Sequence, residues 1–226
     1  MCGRFTYKLT WAEIVTLYRL TLDAPARNTQ ARYNICPTTP VDVVVSGDGH
    51  RSCIPMRWGL LPAWWNKPLK EMKLATFNAR AESVATKPMF RSAFKRNRCL
   101  IPASGYYEWQ DTPEGKQPYF FTRRDGAPIT IAGLWDEWHD RTDGAHIKSA
   151  TMIITEANAF VAEVHDRMPV ILDESAFEPW LSGQAGVELL KPAANDMLQR
   201  WAVSKRVNSS RADPEDSSLT EPLAAG

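Results

Sequence analysis

Proline and glycine interrupt this chain so often that its secondary-structure elements must be short. Sixteen prolines and twelve glycines are spread through 226 residues. Proline removes a backbone hydrogen-bond donor, and glycine loses the most conformational entropy when it is ordered. No apolar run approaches the roughly 18 residues that a membrane-spanning helix requires. We therefore expect a globular protein with no membrane partner.

Between these interruptions, most segments have the β-branched and aromatic content of strands. Strands are predicted over 41–46, 53–58, 105–110, 119–123, 129–132 and 147–155, with a hairpin turn at 114–116. Thr10-Trp11-Ala12-Glu13 has the spacing of a capping box and predicts a helix over 11–20. Further short helices are predicted over 88–95, 156–163, 174–182 and 194–199. The pattern indicates an α+β fold: one domain with a mostly antiparallel or mixed β-sheet core resembling an open barrel, and short flanking helices.

The end of the chain differs in composition from the rest. The segment SSRADPEDSSLTEPLAAG has four acids and few large apolar residues. Such a composition predicts a folded domain over 1–208 and a disordered acidic tail over 209–226. The four cysteines and four histidines show neither CxxC nor HxxxH spacing, so we expect no disulfide frame, metal or cofactor.

The net charge of +1 conceals a strong asymmetry. Residues 51–98 contain eleven Lys and Arg against two Glu, a balance of +9, whereas the remaining residues balance at −8. Trp58, Trp64 and Trp65 lie in the same stretch. Cations mixed with flat aromatic rings are typical of a surface that binds single-stranded nucleic acid. The alternative is a solvated basic face with tryptophans in the core.

Cys2 combines two nucleophiles if Met1 is removed. Its α-amine (pKa ~8) and its thiol (pKa ~8.5) would then sit on adjacent carbons. A 1,2-aminothiol reacts with an aldehyde: the amine forms a Schiff base, and the thiol closes onto it as a thiazolidine. The alternative is that Cys2 is a small residue without a role.

Three polar residues lie in contexts suited to proton transfer. Glu108 lies between aromatic neighbours in GYYEW, where desolvation raises a carboxyl pKa. His165 follows a predicted helix, and its imidazole can exchange protons near neutral pH. Asn78 offers a donor and an acceptor beside a cation. The structural alternatives are a buried ion-pair partner for Glu108, a turn cap for His165 and a strand-to-helix cap for Asn78.

Seven short blocks of the sequence occur in a recognisable order. They are MCGR at the start, RYNICPT at 32–38, WGLLPAWW at 58–65, FNARAES at 77–83, RCLIPASGYYEW at 98–109, VHDRMPVIL at 164–172 and SKRVN at 204–208. Together they resemble the SRAP family (SOS response-associated peptidase) over residues 2 to about 208. The sequence departs from the family pattern at Cys36, where we expect a small residue such as Ala, and at Ser104, where an acid is frequent.

The resemblance implies a protein that senses abasic sites in single-stranded DNA and shields them in a covalent thiazolidine cross-link. Cys2 would be the nucleophile through its amine and sulfur. Asn78 would hold the ring-opened sugar and position the amine. Glu108 would act as a proton shuttle near that amine, and His165 would protonate the sugar oxygen. Both would also serve slow, lyase-like reversal of the adduct.

The resemblance also gives the basic stretch a role. Arg4 and Arg80 would neutralise phosphates beside the lesion, and Trp64 and Trp65 would stack against flanking bases. Gly3, which lacks a Cβ, would let the backbone approach the nucleic acid. The implied partner is single-stranded DNA with abasic sites. We expect a monomer in a bacterial-type cytoplasm, associated with the nucleoid when bound to DNA.

Two other functions remain open at the level of sequence. Cys2, His165 and either Glu108 or Asn78 resemble the side chains of a thiol peptidase, whose activity would include autoproteolytic removal of Met1. A noncovalent single-strand binding module, in which Cys2 is incidental, would also account for the basic stretch.

Overall fold

The structure, a computed structural model, describes residues 2–21, 28–140 and 144–223. The strands in this part are β1 (Phe5–Tyr7), β2 (Arg32–Ile35), β3 (Pro40–Gly47), β4 (His50–Trp58), β5 (Asn78–Arg80), β6 (Arg98–Ala103), β7 (Gly105–Thr112), β8 (Gly115–Arg123), β9 (Ile129–His139), β10 (His146–Glu156), β11 (Arg167–Pro169) and β12 (Leu198–Ala202). The α-helices are α1 (Trp11–Tyr18), α2 (Arg91–Arg96), α3 (Ala159–Ala162) and α4 (Glu174–Ser182). Short 3₁₀ turns cover Leu69–Glu71, Val187–Leu189, Lys205–Asn208 and Ser217–Thr220. None of the helices within these ranges has the length and apolar character needed to cross a membrane.

The first sheet carries the start of the chain. Its strand order is β12-β8-β7-β1-β2, and every pairing is antiparallel. Phe5 in β1 lies opposite Tyr106 in β7. Gly105 permits close packing of β7 against β8, because a Cβ there would lie 2.3 Å from the Phe120 ring and 2.6 Å from the Phe121 carbonyl oxygen. The sheet therefore holds the first residues of the chain beside the strand that contains Glu108.

The second sheet closes on itself through β10. Strands β4, β3, β6 and β9 follow one another from β10, and β9 pairs with β10 again to complete the ring. Along one edge β10 pairs in parallel with β4, where Ala150 lies opposite Trp58, and then with β5, where Met152 lies opposite Asn78. Along its other edge it pairs antiparallel with β9 and β11. The predicted α+β fold with a mixed, barrel-like sheet is confirmed.

One buried tryptophan ties the sheets to the segment before Asn78. The Trp58 ring is fully buried, and the edges of Phe5 and Phe77 pack against it at centroid distances of 5.1 and 5.7 Å. Its Nε1 donates to the Phe77 carbonyl oxygen at 2.9 Å. Trp58 is therefore a core residue, which was the structural alternative for the tryptophans in the basic stretch.

The helix predictions were partly right. The capping box at Thr10 and Glu13 starts α1 as predicted, and α4 spans the predicted 174–182. The helix predicted over 194–199 is wrong, because Leu198 is buried as the first residue of β12, which pairs with β8. The turn in the β7–β8 hairpin is confirmed, with Thr112 opposite Gly115.

The prediction of disorder over 209–226 is wrong for 209–223, and 224–226 lie outside the described residues. Leu219 is fully buried. The Thr220 carbonyl oxygen accepts from Trp201 Nε1 at 2.8 Å, and Pro222 forms a β-bridge with Val203. Composition predicted disorder because the segment has few apolar residues, but one leucine and several backbone groups are enough to hold it on β12 and β2.

Candidate functional site

Cys2 is held at the junction of the two sheets by Asn78. The Asn78 Nδ2 donates to the Cys2 carbonyl oxygen at 2.8 Å. The Cys2 side chain is fully buried, and this burial, reinforced by the Glu108 carboxylate, raises the pKa of its thiol well above the ordinary value. The thiol is therefore less ionised than the sequence suggested, and neutral-pH chemistry at Cys2 requires a base nearby.

Glu108 is the buried carboxylate beside this thiol. Its side chain is 1% exposed. Burial raises its pKa to about 7, and the positive charge of the amino terminus only partly offsets this effect. The desolvation predicted from its aromatic neighbours is confirmed. A carboxyl group that is about half protonated near neutral pH can both donate and accept a proton.

His165 lies next to Glu108 and is partly exposed. Its Nε2 is 3.9 Å from Glu108 Oε2, and its Nδ1 accepts from the Arg167 backbone N–H at 3.0 Å. Its Nδ1 also lies 3.0 Å from Asp166 Oδ1, so its Nε2 is the ring nitrogen that faces Glu108. Burial lowers the pKa of His165 below its ordinary value. Burial thus shifts the two pKa values in opposite directions, raising that of the carboxyl group and lowering that of the imidazole.

Tyr106 is a site residue that sequence reasoning missed. It lies two positions before Glu108 on β7, and hence on the same face. Its side chain is fully buried, its ring stacks on Phe121 at 5.0 Å, and its hydroxyl has no hydrogen-bond partner among the described residues. Burial and then the charges of Cys2 and Glu108 raise its pKa well above the ordinary value. The alternation of β7 was a signal that could have identified it.

A pocket opens beside Asn78. It has a volume of about 330 Å³ and is lined by Asn78, Arg80, Leu74 and Lys87, among other residues. The Asn78 Oδ1 is buried without a partner within the described part of the chain. Arg80 is exposed at the end of β5 and forms no ion pair with a described residue. A polar ligand in this pocket would meet an amide acceptor and two cations.

The basic stretch divides into two sets. Three arginines are partly buried and have structural roles. Arg51 binds the Glu178 carboxylate, and Arg57 binds the Gly59 carbonyl oxygen. Arg98 binds the carbonyl oxygens of Phe94 in α2 and of Ala185. Eight others are exposed and form no ion pair with described residues: Lys67, Lys70, Lys73, Arg80, Lys87, Arg91, Lys95 and Arg96. These eight cations are accessible to solvent, and two of them, Arg80 and Lys87, line the pocket beside Asn78.

Trp64 and Trp65 differ in exposure. The Trp64 side chain is 52% exposed, whereas Trp65 is half-buried and packs edge-on against it at 6.3 Å. The loop that carries them is fixed at both ends of the pair: Ala63 N–H donates to Asp136 Oδ2, and the Trp65 carbonyl accepts from Trp138 Nε1. Trp64 thus presents a large apolar ring to solvent from a rigid support.

Comparison with known proteins identifies the family. The model of the family described as SOS response associated peptidase (SRAP) matches residues 1–210. This chain belongs to the SRAP family.

Curated SRAP relatives match most of the chain. Abasic site processing protein YoaM of Bacillus subtilis is 32% identical over 217 residues, covering 92% of this chain and 93% of the relative. Abasic site processing protein YedK of Escherichia coli is 32% identical over 199 residues, covering 86% of each chain. Abasic site processing protein HMCES of Xenopus tropicalis is 31% identical over 222 residues, covering 84% of this chain and 66% of the relative.

Solved structures agree on the fold. A protein of Bacteroides thetaiotaomicron superposes with a TM-score of 0.86 at 22% identity, covering 98% of this chain and 100% of that one. A protein of Bordetella bronchiseptica has a TM-score of 0.76 at 28% identity, covering 90% and 100%. The SRAP fold thus persists where most side chains have changed.

Arg4 and Gly3 follow Cys2 in this SRAP chain, and both are half-buried. One guanidinium nitrogen of Arg4 donates to Cys36 Sγ, and another donates to the Asn208 carbonyl oxygen at 3.2 Å. Cys36, the departure noted in the sequence, is therefore a direct partner of Arg4. Arg4 is held by the protein, which makes the exposed Arg80 the better candidate for a phosphate contact.

Outside the site around Cys2, the described residues include a group of side chains with the composition of a metal site. Glu137, His139 and His146 lie together on β9 and β10. Sequence spacing did not indicate them, because the two histidines are on different strands.

Proposed function

We propose that this protein captures abasic sites in single-stranded DNA as a covalent thiazolidine formed by Cys2 after loss of Met1. The observation that carries the proposal is the hydrogen bond from Asn78 to the Cys2 carbonyl, since it fixes the aminothiol beside a buried carboxylate with a pKa of about 7. The names of the curated relatives, abasic site processing proteins, support the same substrate.

Ring opening of the abasic sugar comes first. The closed hemiacetal opens when its C1′–O4′ bond breaks, O4′ takes up a proton and the hydroxyl on C1′ becomes a carbonyl. His165 delivers that proton from Nε2 and recovers one from Glu108, 3.9 Å away, and the Glu108 carboxylate then takes the proton that the C1′ hydroxyl loses. The Asn78 Oδ1 accepts a hydrogen bond from a hydroxyl of the opened sugar or from the Cys2 amine.

Two bonds to C1′ then form in order. The Cys2 amine adds to the aldehyde carbon and passes one of its protons to the oxygen. The oxygen leaves as water after accepting a second proton from Glu108, so that a protonated imine remains. The thiol adds to the imine carbon, its proton moves to the Glu108 carboxylate, and the nitrogen becomes the ring N–H. One water is lost overall, and Glu108 acts alternately as acid and base.

The raised thiol pKa favours this order over a peptidase mechanism. A thiol peptidase needs a thiolate, and its cysteine pKa is lowered by a positive neighbour. Here burial and Glu108 raise the thiol pKa instead. The amine therefore attacks first, and the thiol is deprotonated only during ring closure.

The exposed cations and Trp64 supply noncovalent binding. Arg80 and Lys87 line the pocket beside Asn78 and would contact phosphates flanking the lesion. Trp64 and Trp65 would stack against a neighbouring base, a contact that contributes about 1–3 kcal/mol per base. Because phosphates and stacking carry little sequence information, binding should depend strongly on salt and weakly on sequence.

The decisive experiment mixes the protein with a single-stranded oligonucleotide that has one abasic site. A band that survives denaturing electrophoresis is expected, with an intact mass equal to protein without Met1 plus oligonucleotide less one water. Cys2→Ala should abolish the band and leave salt-sensitive binding to intact strands. Cys36→Ser is the matched control and should cross-link normally.

The Cys2→Ser variant distinguishes thiazolidine formation from a thiol peptidase mechanism. It retains the amine, so borohydride should trap an imine, whereas the wild-type adduct should resist borohydride because the ring has closed. A stable, borohydride-resistant serine adduct would contradict the thiazolidine. If Cys2→Ser instead keeps Met1 and forms no imine, the peptidase function would be favoured.

A further inference from the structure

The end of the β9–β10 hairpin brings three potential metal ligands together. The antiparallel register places His139 directly opposite His146. Glu137 lies two residues before His139 on the same strand and therefore on the same face. The two imidazole centroids are 3.9 Å apart, and His146 Nδ1 is 3.4 Å from Glu137 Oε1. None of the three side chains belongs to the set around Cys2.

The spacing of the ligand atoms suits one ion. One ligand atom from each of the three side chains lies within 4.8 Å of the other two. Ligands that bind a tetrahedral Zn²⁺ at about 2.0–2.1 Å are separated by about 3.4 Å. The His146–Glu137 distance already has this value, and both histidines are exposed, so small side-chain rotations bring the third ligand into range. Two imidazoles and one carboxylate are preferred by Zn²⁺, Ni²⁺ and Cu²⁺ rather than by Mg²⁺ or Ca²⁺.

Glu137 contacts a histidine and not the lysine that lies opposite it in the sheet. Lys148 lies directly opposite Glu137 in the register, and such a pair would ordinarily form a cross-strand salt bridge. Instead the Lys148 ammonium lies 5.9 Å from the Trp135 ring centroid, and Glu137 faces the histidine. The carboxylate is thus directed toward the two imidazoles.

We propose that Glu137, His139 and His146 bind one divalent ion of the zinc class, with water completing its coordination. The ion would join β9 to β10 at the end of the hairpin. These two strands close the barrel, so binding would stabilise the closed sheet by mass action. The inference does not depend on the proposed reaction of Cys2.

Titration of the full-length protein with Zn²⁺ in a calorimeter tests the site, and Co²⁺ absorption reports its geometry. Stoichiometric 1:1 binding is expected, with a rise in Tm. His139→Ala and His146→Ala should each weaken Zn²⁺ binding at least tenfold, and Glu137→Gln by a smaller factor. Because all three side chains are on the surface, the metal-free variants should unfold at the wild-type temperature.

Two controls address other ligands in the chain. His50→Ala removes an exposed histidine at the start of β4 and should bind Zn²⁺ as the wild type does. Cys2→Ala removes the aminothiol and should also leave 1:1 binding intact. The proposal is overturned if the wild type shows no stoichiometric binding, or if the His139 and His146 variants bind as tightly as His50→Ala.

Discussion

The two faces of β7 carry similar residues in opposite circumstances. On one face lie Tyr106 and Glu108, fully buried beside Cys2; the Tyr106 hydroxyl has no partner among the described residues. On the other face lie Tyr107 and Trp109. The Tyr107 hydroxyl donates to a β2 carbonyl at 2.8 Å, and Trp109 Nε1 donates to the Asn208 side chain at 2.7 Å.

The two faces of β7 differ in whether their buried polar groups are hydrogen-bonded, and we expect one face to affect the proposed reaction and the other to affect stability. Burying a polar group without a partner costs about 1–3 kcal/mol, whereas a satisfied bond contributes about 1 kcal/mol. The Tyr106–Glu108 face keeps a carboxyl group in an environment that opposes its ionisation. The Tyr107–Trp109 face anchors the C-terminal segment. Substitutions on the first face should therefore change rates, and substitutions on the second should change stability.

The largest expected effect is on the rate of adduct formation in Glu108→Gln. The amide keeps the shape of the side chain but cannot exchange a proton, so cross-linking should slow on the order of 100-fold or more. Single-turnover gel kinetics with an abasic oligonucleotide measure this rate. Trp109→Phe, on the opposite face of the strand, is the control and should react at the wild-type rate. Equal rates for Glu108→Gln and the wild type would remove Glu108 from the mechanism.

The same substitution should change how stability depends on pH. The Glu108 pKa is about 7 in the folded protein, against an ordinary value of 4.5. The folded state therefore binds the extra proton between these values, and its free energy of unfolding should fall as pH rises from 4.5 through 7, by about 3 kcal/mol in total. Urea unfolding at several pH values measures this decline.

Glu108→Gln should remove the decline and be the more stable protein at pH 8. A wild type whose unfolding free energy did not change between pH 5 and 8, apart from the change also seen in Glu108→Gln, would contradict the raised pKa.

Substitution of Leu219, which anchors the C-terminal segment, should lower stability without changing the cross-linking rate. Leu219 is fully buried, so Leu219→Ala should lower the free energy of unfolding by about 2 kcal/mol. The cross-linking rate of the folded protein should not change. Thermal unfolding and gel kinetics on the same sample give both values. Leu223→Ala, an exposed position in the same segment, is the control and should leave both unchanged.

The smallest effects should come from the adjacent tyrosines, which make the sharpest comparison. Tyr106→Phe should slow cross-linking about tenfold, since a hydroxyl beside Cys2 and Glu108 would no longer assist, and it should leave stability equal or higher. Tyr107→Phe should lower the free energy of unfolding by about 1 kcal/mol with no change in rate. The idea of two distinct faces fails if Tyr107→Phe slows the reaction as much as Tyr106→Phe does.

Local patterns in the sequence predicted much of the fold. The capping box at Thr10 and the alternating strands depend on near neighbours, so they can be recognised without knowing the tertiary structure. The helix predicted over 194–199 failed because burial of Leu198 against β8 outweighs local preference. The docked C-terminal segment was missed for the same reason: its stability depends on where Leu219 packs.

The sequence context indicated a raised pKa for Glu108, and burial of its side chain raises that pKa. The adjacent Tyr107 and Trp109 lie on the opposite face of β7, however, and the aromatic residue that shares the face of Glu108 is Tyr106. The burial of Cys2 depends on β5 and β7 meeting across the two sheets, and no local pattern reports it. Pairing of Arg4 with Cys36 likewise arises from residues far apart in the sequence.

The pairing of Phe5 with Tyr106 and of Asn78 with Met152 has a consequence for how this protein is made. The amino terminus leaves the ribosome first, yet Asn78, Glu108 and His165 are synthesised much later, and the β5–β10 pairing needs residues beyond 150. If Cys2 reacts as proposed, a nascent chain carries its aminothiol without the acid and base that would accelerate it. Full reactivity toward aldehydes would then begin only once synthesis has passed His165, so assembly of the fold would also time the onset of reactivity.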